Sequence, residues 1–421
     1  MDKFIIRGGR RLHGEIELQG SKNAALPILA AGLLIEKGRC TIGNVPELAD
    51  IETMIKVLEF LGAKIEWNKK DRSITLDCSD ISRYEAPYDL VRKMRASFLV
   101  MGPLLARFGR AKVSLPGGCV LGPRPVDYHL KAFSRLGAAL VEDQGYIIAE
   151  TNSGLRGAQI HFDKPSHTGT ENAMMAACLA EGETTIINAA CDPEVVDLAR
   201  FLNRAGARIS GAGNIIIRIE GVPRLNPADH DVMPDRLEAG TLMAAVGAAG
   251  GEIAMGKECV ESMSMVLDKL TEAGMSFRID GDRLIVRSAD RLRAFDITTF
   301  PYPGFPTDLQ ASMMALACCC KGISHIKETV FTERFSHAME LTRLGAQIKI
   351  AGDEAVITGV EKLHGASIMA SDIRAGAGLV VAALAAEGQS EILRVYHIDR
   401  GYQNLERKLS LLGADIKRVS T

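Results

Sequence analysis

Asn23-Ala-Ala-Leu-Pro-Ile-Leu-Ala-Ala-Gly-Leu-Leu-Ile35 is apolar nearly all round, and a glycine, Gly38, ends the run. A helix with no polar face is a buried helix. A short β-prone stretch, Cys40-Thr-Ile42, comes next. Ile51 to Leu61 then carries apolar residues at 51, 54, 55, 58 and 61, the three-and-four spacing of an amphipathic helix. Gly62 closes it, suited to the left-handed position past a helix end. Two strands follow, around Ile65-Glu-Trp67 and Ser73-Ile-Thr-Leu76.

This unit recurs. Glycines after apolar helices stand at 38, 109, 182, 251, 322 and 388, and glycines after amphipathic helices at 62, 137, 206, 274, 345 and 413. Successive marks in both series are 66 to 75 residues apart, so six units of about 70 residues fill the 421-residue chain. Grouped three and three, they predict an α/β fold of two domains, with buried helices inside and sheets outside. The predicted linker is Asn226-Pro-Ala-Asp-His-Asp-Val-Met-Pro-Asp235, rich in proline and aspartate. The residues before Lys22 look like strands that could complete either domain.

Charged residues occupy equivalent places in the repeat. Arg95, Asp308 and Arg374 each lie 14 residues before their unit's first glycine; Lys22, Asn23 and Arg236 lie 15 or 16 before theirs. These are starts of buried helices, where free N–H groups and the positive dipole end favour an anion. Lysine or arginine there opposes the dipole, a conflict that a bound anion resolves. Arg334 and Arg400 recur 12 residues after Gly322 and Gly388. Together with Arg124 these placements suggest cations facing one cleft between the domains.

The second unit is longest. Its two glycines are 28 residues apart, against 23 to 25 elsewhere, and the excess falls at Ser114-Leu-Pro-Gly-Gly-Cys-Val-Leu-Gly-Pro-Arg-Pro-Val-Asp127. Insertions at a unit turn are where function is usually grafted. Here a thiol, Cys119, sits on a glycine pair with a cation, Arg124, close behind; nearby cations favour the reactive thiolate.

Composition bounds the rest. A net charge of −2 gives no general attraction for nucleic acid, so an anionic substrate must be held by clustered cations. Nine cysteines without a Cys-x-x-Cys pair predict a reducing compartment and no structural zinc. No apolar run reaches the ~20 residues of a membrane span, and no signal peptide is evident, so a soluble, cytoplasmic protein is expected.

Gly20-Ser-Lys-Asn-Ala-Ala-Leu-Pro27, Met94-Arg-Ala-Ser97, Leu115-Pro-Gly-Gly-Cys119, Arg124-Pro-Val-Asp127, Pro234-Asp-Arg236, Phe305-Pro-Thr-Asp308, Glu328-Thr-Val-Phe331, Asp372-Ile-Arg374 and His397-Ile-Asp-Arg-Gly401 occur in that order. With these motifs the chain closely resembles, over essentially its whole length, the UDP-N-acetylglucosamine 1-carboxyvinyltransferases (enolpyruvyl transferases) of bacterial cell-wall synthesis. The resemblance implies two inside-out α/β barrels of three repeats each. It implies a discontinuous domain of residues 1–21 plus 232–421, a second of 22–231, and an active site in the cleft between them. It also implies transfer of enolpyruvyl from phosphoenolpyruvate to the sugar 3′-hydroxyl, by addition and elimination through a tetrahedral intermediate. That is the first committed step of peptidoglycan synthesis.

By the same resemblance Cys119 is the acid, able to form a covalent adduct with phosphoenolpyruvate and open to fosfomycin-type epoxides. Asp308 is a base or a positioning group near the 3′-hydroxyl. Lys22, Arg124 and Arg400 contact phosphate, Lys22 and Arg400 among the catalytic groups, with Asn23, Arg334 and Arg374 also at the phosphoenolpyruvate site. Asn23, Arg95, Arg124, Pro125, Val126, Asp127, Lys164, Ser166, Asp308 and Val330 correspond to nucleotide-sugar contacts. The family uses no metal cofactor, and neither nucleic acid nor membrane is an expected partner. His167-Thr-Gly169 replaces the more usual Val-Gly-Ala beside the uridine pocket, Leu99 stands where some members have tryptophan, and Pro123 replaces a small residue. Two other readings compete: a shikimate-pathway enolpyruvyl transferase, whose members lack this cysteine loop, and a silent nucleotide-sugar-binding paralogue, against which Cys119, Lys22, Arg124 and Asp308 together argue.

Overall fold

The computed structural model describes residues 2–92, 94–115 and 126–420. They form two compact units, one of Met1–Gln19 with Pro234–Thr421 and the other of Gly20–Met233. Each unit has its own apolar core.

The local pattern folds as its residues require. In the helix Ala49–Leu61, Ile51, Met54, Ile55, Leu58 and Leu61 are buried. Gly62 ends it at φ 116°, where a Cβ would lie 2.8 Å from the Asp80 carbonyl oxygen. Only glycine meets both conditions. The helices Arg236–Ala249, Gln310–Ala317 and Ile373–Ala385 form the centre of the discontinuous unit, and every residue from Arg236 to Val246 and from Arg374 to Leu384 is buried. Their approach is close: a Cβ on Gly378 would come within 2.7 Å of the Ala311 carbonyl oxygen.

Among the described residues there are six four-stranded sheets, three in each unit, all with one topology. An edge strand runs parallel to the strand after the buried helix, and two antiparallel strands complete the sheet. In the continuous unit, His230–Asp231 is the parallel edge beside Arg39–Gly43. In the discontinuous unit, Leu12–Glu15 takes that place beside Gly251–Gly256. Asp2–Arg7 lies between Gln389–Leu393 and Asp415–Ser420.

The division between the units, at Met233 and Pro234, falls inside the expected linker 226–235, which also carries the strand His230–Asp231, with His230 buried against Asp197 at 3.0 Å. One sequence expectation needs correction. The glycine after each apolar helix does not generally end that helix. Gly109 caps its helix directly, whereas Gly38, Gly182, Gly322 and Gly388 come after the helix has ended and immediately precede the strand, at φ 98°, 94°, 117° and 94°. The repeated glycine therefore serves the turn into the strand. Among the described residues no helix is long and apolar enough to cross a membrane.

Candidate active site

In the discontinuous unit three residues meet: Asp308 and Arg374, from the same position of successive repeats, and Arg334, from a later one. Asp308 lies in the 3-10 turn Thr307–Leu309 that leads into the buried helix Gln310–Ala317. Arg374 is the second residue of Ile373–Ala385, whose N-cap Asp372 accepts from the Arg374 and Ala375 amides at 2.9 Å each. Arg334 comes from the turn before the helix Ala338–Arg343. Arg334 Nη2 is 2.8 Å from Asp308 Oδ1, and Arg374 donates Nε and Nη2 to Oδ2 at 3.1 and 3.0 Å. Both arginines are about 5% exposed, while the Asp308 side chain keeps 26% of its surface in solvent. Two buried guanidinium groups converge on one carboxylate at a helix start, and such forked donors suit a phosphate or carboxylate.

The surroundings hold these groups firmly. Arg374 stacks 5.3 Å from the buried Tyr402 ring, whose hydroxyl is 2.9 Å from Thr241 Oγ1. Burial alone would lower the Arg374 pKa, but Tyr402, Asp308 and Asp235 outweigh it and raise the value. Arg334 Nη1 donates to Thr307 Oγ1 at 2.8 Å, and Thr307 donates to the fully buried Glu328 at 2.9 Å. Val330 belongs to the same assembly, its amide donating to Glu328 Oε1 at 2.9 Å. His337, 2% exposed, is held at a pKa of about 4 by burial, with Arg334 adding to the effect and Asp372 opposing it. Arg400 ends the 3-10 turn Val395–Arg400 and is partly buried. Gln19 braces the backbone just past that turn, donating to the Gly401 carbonyl at 2.9 Å and accepting from the Gln403 amide at 2.7 Å.

In the continuous unit, Lys22 opens the helix Lys22–Ala31 beside its N-cap Ser21, with Asn23 half-buried on the same turn. Lys22 Nζ is 3.2 Å from Asp50 Oδ2, and Asp50 sits in the first turn of Ala49–Leu61. Arg95 opens the 3-10 turn Arg95–Val100 and is half-buried. Val126 precedes the helix Asp127–Arg135, where Asp127 is exposed. Lys164 is exposed, and Ser166 caps His167–Ala177 by accepting from the Gly169 amide at 3.2 Å. Cys119, Pro123, Arg124 and Pro125 lie outside the described residues.

Behind Ser166 are contacts that sequence reading did not find. His167 Nε2 is 3.1 Å from the buried Glu171 Oε1. Burial would lower the His167 pKa, but Glu171, Asp192 and Glu194 outweigh it and hold the value at about 10. Burial pushes Glu171 up. His129, its pKa lowered to about 4 by burial, takes Asn172 Nδ2 at 3.0 Å on Nδ1 and faces Thr168 Oγ1 at 3.2 Å from Nε2. The i,i+4 spacing of His167 and Glu171 was a readable signal. The 28-residue separation of Lys22 from Asp50 carried none.

A repeated α/β fold with cations and a carboxylate at its buried helix starts has the form of the enolpyruvyl transferases. The family model described as EPSP synthase (3-phosphoshikimate 1-carboxyvinyltransferase) matches residues 6–409. A UDP-N-acetylglucosamine 1-carboxyvinyltransferase of Sorangium cellulosum is 53% identical over 421 residues, covering 100% of this chain and 99% of the relative. One of Carboxydothermus hydrogenoformans, named UDP-N-acetylglucosamine 1-carboxyvinyltransferase 2, is 53% identical and covers 100% of both chains. The solved enolpyruvyl transferase NikO from Streptomyces tendae has a TM-score of 0.90 at 25% identity, over 100% of this chain and 99% of that one. The chain belongs to this enolpyruvyl transferase family, among its UDP-N-acetylglucosamine 1-carboxyvinyltransferases.

Proposed function

We propose that the chain transfers the enolpyruvyl group of phosphoenolpyruvate to the 3′-hydroxyl of UDP-N-acetylglucosamine, releasing inorganic phosphate. The observation that carries this reading is the end-to-end match, at 50 to 53% identity, to relatives bearing that activity's name. The Asp308 cluster supports it. A substrate with both a phosphate and a carboxylate needs several cations, and arginine's planar fork fits such groups.

In the addition step the sugar oxygen bonds to C2 of phosphoenolpyruvate while C3 gains a proton. Cys119 supplies that proton, and the hydroxyl gives its own to a nearby acceptor. Asp308 accepts the hydroxyl's hydrogen bond and aims its oxygen. In the elimination step C3 returns a proton to the Cys119 thiolate, the C2–C3 double bond re-forms, and the C2–O bond to phosphate breaks, its electron pair leaving with the phosphate. Lys22, Arg124 and Arg400 bear the phosphate's charge through both steps, with Arg334, Arg374 and Asn23 at the rest of the phosphoenolpyruvate. Asn23, Arg95, Val126, Asp127, Lys164, Ser166 and Val330 hold the nucleotide sugar, together with Arg124 and Pro125. The reading carries with it a place at the committed step of peptidoglycan synthesis, in the cytoplasm.

The test is phosphate release from phosphoenolpyruvate with each of two acceptors. Release is expected with UDP-N-acetylglucosamine and none with shikimate 3-phosphate. Release only with the latter moves the chain to the shikimate pathway, and release with neither favours a silent binding paralogue.

A further inference from the structure

Glu328 is 0% exposed and follows the strand Ile323–Lys327. Its Oε1 accepts from Thr299 Oγ1 at 2.8 Å and from the Val330 and Phe331 amides at 2.9 Å each. Its Oε2 accepts from Thr307 Oγ1 at 2.9 Å. Four donors aimed at two oxygens define a carboxylate that only accepts. Burying such a group costs free energy that a neutral side chain would avoid. Thr307 Oγ1, while donating to Glu328, accepts from Arg334 Nη1 at 2.8 Å, and Arg334 holds Asp308. Thr307 is also the residue immediately before Asp308.

We propose that Glu328 is a positioning residue for the transfer reaction, acting through a Glu328–Thr307–Arg334 relay that sets the guanidinium on Asp308, while its Oε1 fixes the Val330 turn. This rests on the function proposed above. The two oxygens have separable tasks. In Glu328→Gln the amide oxygen can keep the three Oε1 bonds, but the amide nitrogen faces Thr307 with a donor. The Thr307 hydroxyl, already accepting from Arg334, then loses the acceptor for its own proton. Thr307→Val breaks the same link from the other side, and Thr307→Ser keeps the hydroxyl.

Steady-state kinetics on the full chain test this. Wild-type turnover with phosphoenolpyruvate and UDP-N-acetylglucosamine comes first, because its absence counts against the function and not against the relay. Glu328→Gln and Thr307→Val are each expected to lower kcat/KM for phosphoenolpyruvate about tenfold, the size of one lost charge-assisted hydrogen bond. The KM for the nucleotide sugar should hardly move, since the Val330 turn is retained. The double variant should be no worse than the poorer single one, because both cut one link. Thr307→Ser should recover most of what Thr307→Val loses. Multiplying losses in the double variant, or wild-type kinetics in a folded Glu328→Gln, would overturn the relay. Should Glu328→Gln fail to fold, the Thr307→Val and Thr307→Ser pair decides. Should the wild type be silent, calorimetric titration with inorganic phosphate replaces the kinetics, and additive losses of affinity would again refute it.

Discussion

Arg374 holds one oxygen of Asp308 with two of its nitrogens, Nε at 3.1 Å and Nη2 at 3.0 Å. Lysine carries the same charge but has no fork, so it cannot reproduce this grip. Arg374→Lys should therefore fold and lose about 10- to 100-fold in kcat/KM, the scale of one to two charge-assisted contacts. Kinetics with circular dichroism as the folding control measure it. Wild-type turnover in the lysine variant would show that charge alone suffices.

Removing the carboxylate has a different signature. Asp308 engages both Arg334 and Arg374, so Asp308→Asn leaves two cations more fully available to an anion. The variant should turn over at least about 100-fold more slowly, as expected for a lost acid–base or aiming group. Its apparent affinity for phosphoenolpyruvate should hold or tighten. A weakened affinity, measured by titration in the presence of UDP-N-acetylglucosamine, would contradict this charge argument.

Lys22 and Asp50 are both buried and lie 3.2 Å apart. Lys22→Met removes a cation from a carboxylate that stays out of water. A loss of about 1–3 kcal/mol in urea unfolding is expected, the cost of an under-compensated buried polar group. Asp50→Asn combined with Lys22→Met should recover part of that loss, because no charge is then stranded. No recovery would mean that Asp50 is held by its other contacts.

The histidines set opposite pH limits. His129 and His337 have pKa values near 4 in the fold against an ordinary 6.5. Their neutral forms contribute stability that is complete above about 6.5 and is lost as pH falls toward 4. His167 is raised to about 10, so its contribution is complete below about 6.5 and is lost as pH rises toward 10. Urea midpoints should peak near neutrality, and His167→Gln should flatten the alkaline limb relative to wild type. Parallel alkaline limbs would remove His167 from this account.

Thiol chemistry should be confined to one residue. Burial pushes Cys78, Cys178, Cys319 and Cys320 up to about 12 and Cys259 up to about 11. It also raises Cys40, Cys191 and Cys318. Thiols so shifted are poor nucleophiles at neutral pH. A fosfomycin-type epoxide should add once per chain, at Cys119, by peptide mass mapping. Modification of any of the other eight, or no reaction, would count against the proposed acid.

The fold was legible because its determinants are local. An all-apolar run announces a buried helix, and the positive φ at Gly62 demands a residue without a side chain. The cations at helix starts were legible as a recurrence, but their partners were not. Glu328 meets Thr299 because the strands Ile297–Thr298 and Ile323–Lys327 pair in parallel, Thr298 beside Lys327. Such register is a tertiary outcome that one sequence does not display. The same holds for Gln19, which reaches Gly401 across 382 positions.

The sheet built on Asp2–Arg7 has a consequence for synthesis. That strand is made long before both its neighbours, Gln389–Leu393 and Asp415–Ser420. Until they emerge it is a middle strand without a sheet, exposed to wrong partners. The unit Gly20–Met233, whose sheets draw on one continuous run, can close meanwhile. Pulse proteolysis of chains stalled past residue 270 should find residues 20–233 protected and the first strand cleavable. The two halves, alike in architecture, then differ in time: one can close early, the other only once residues 389–420 have been made.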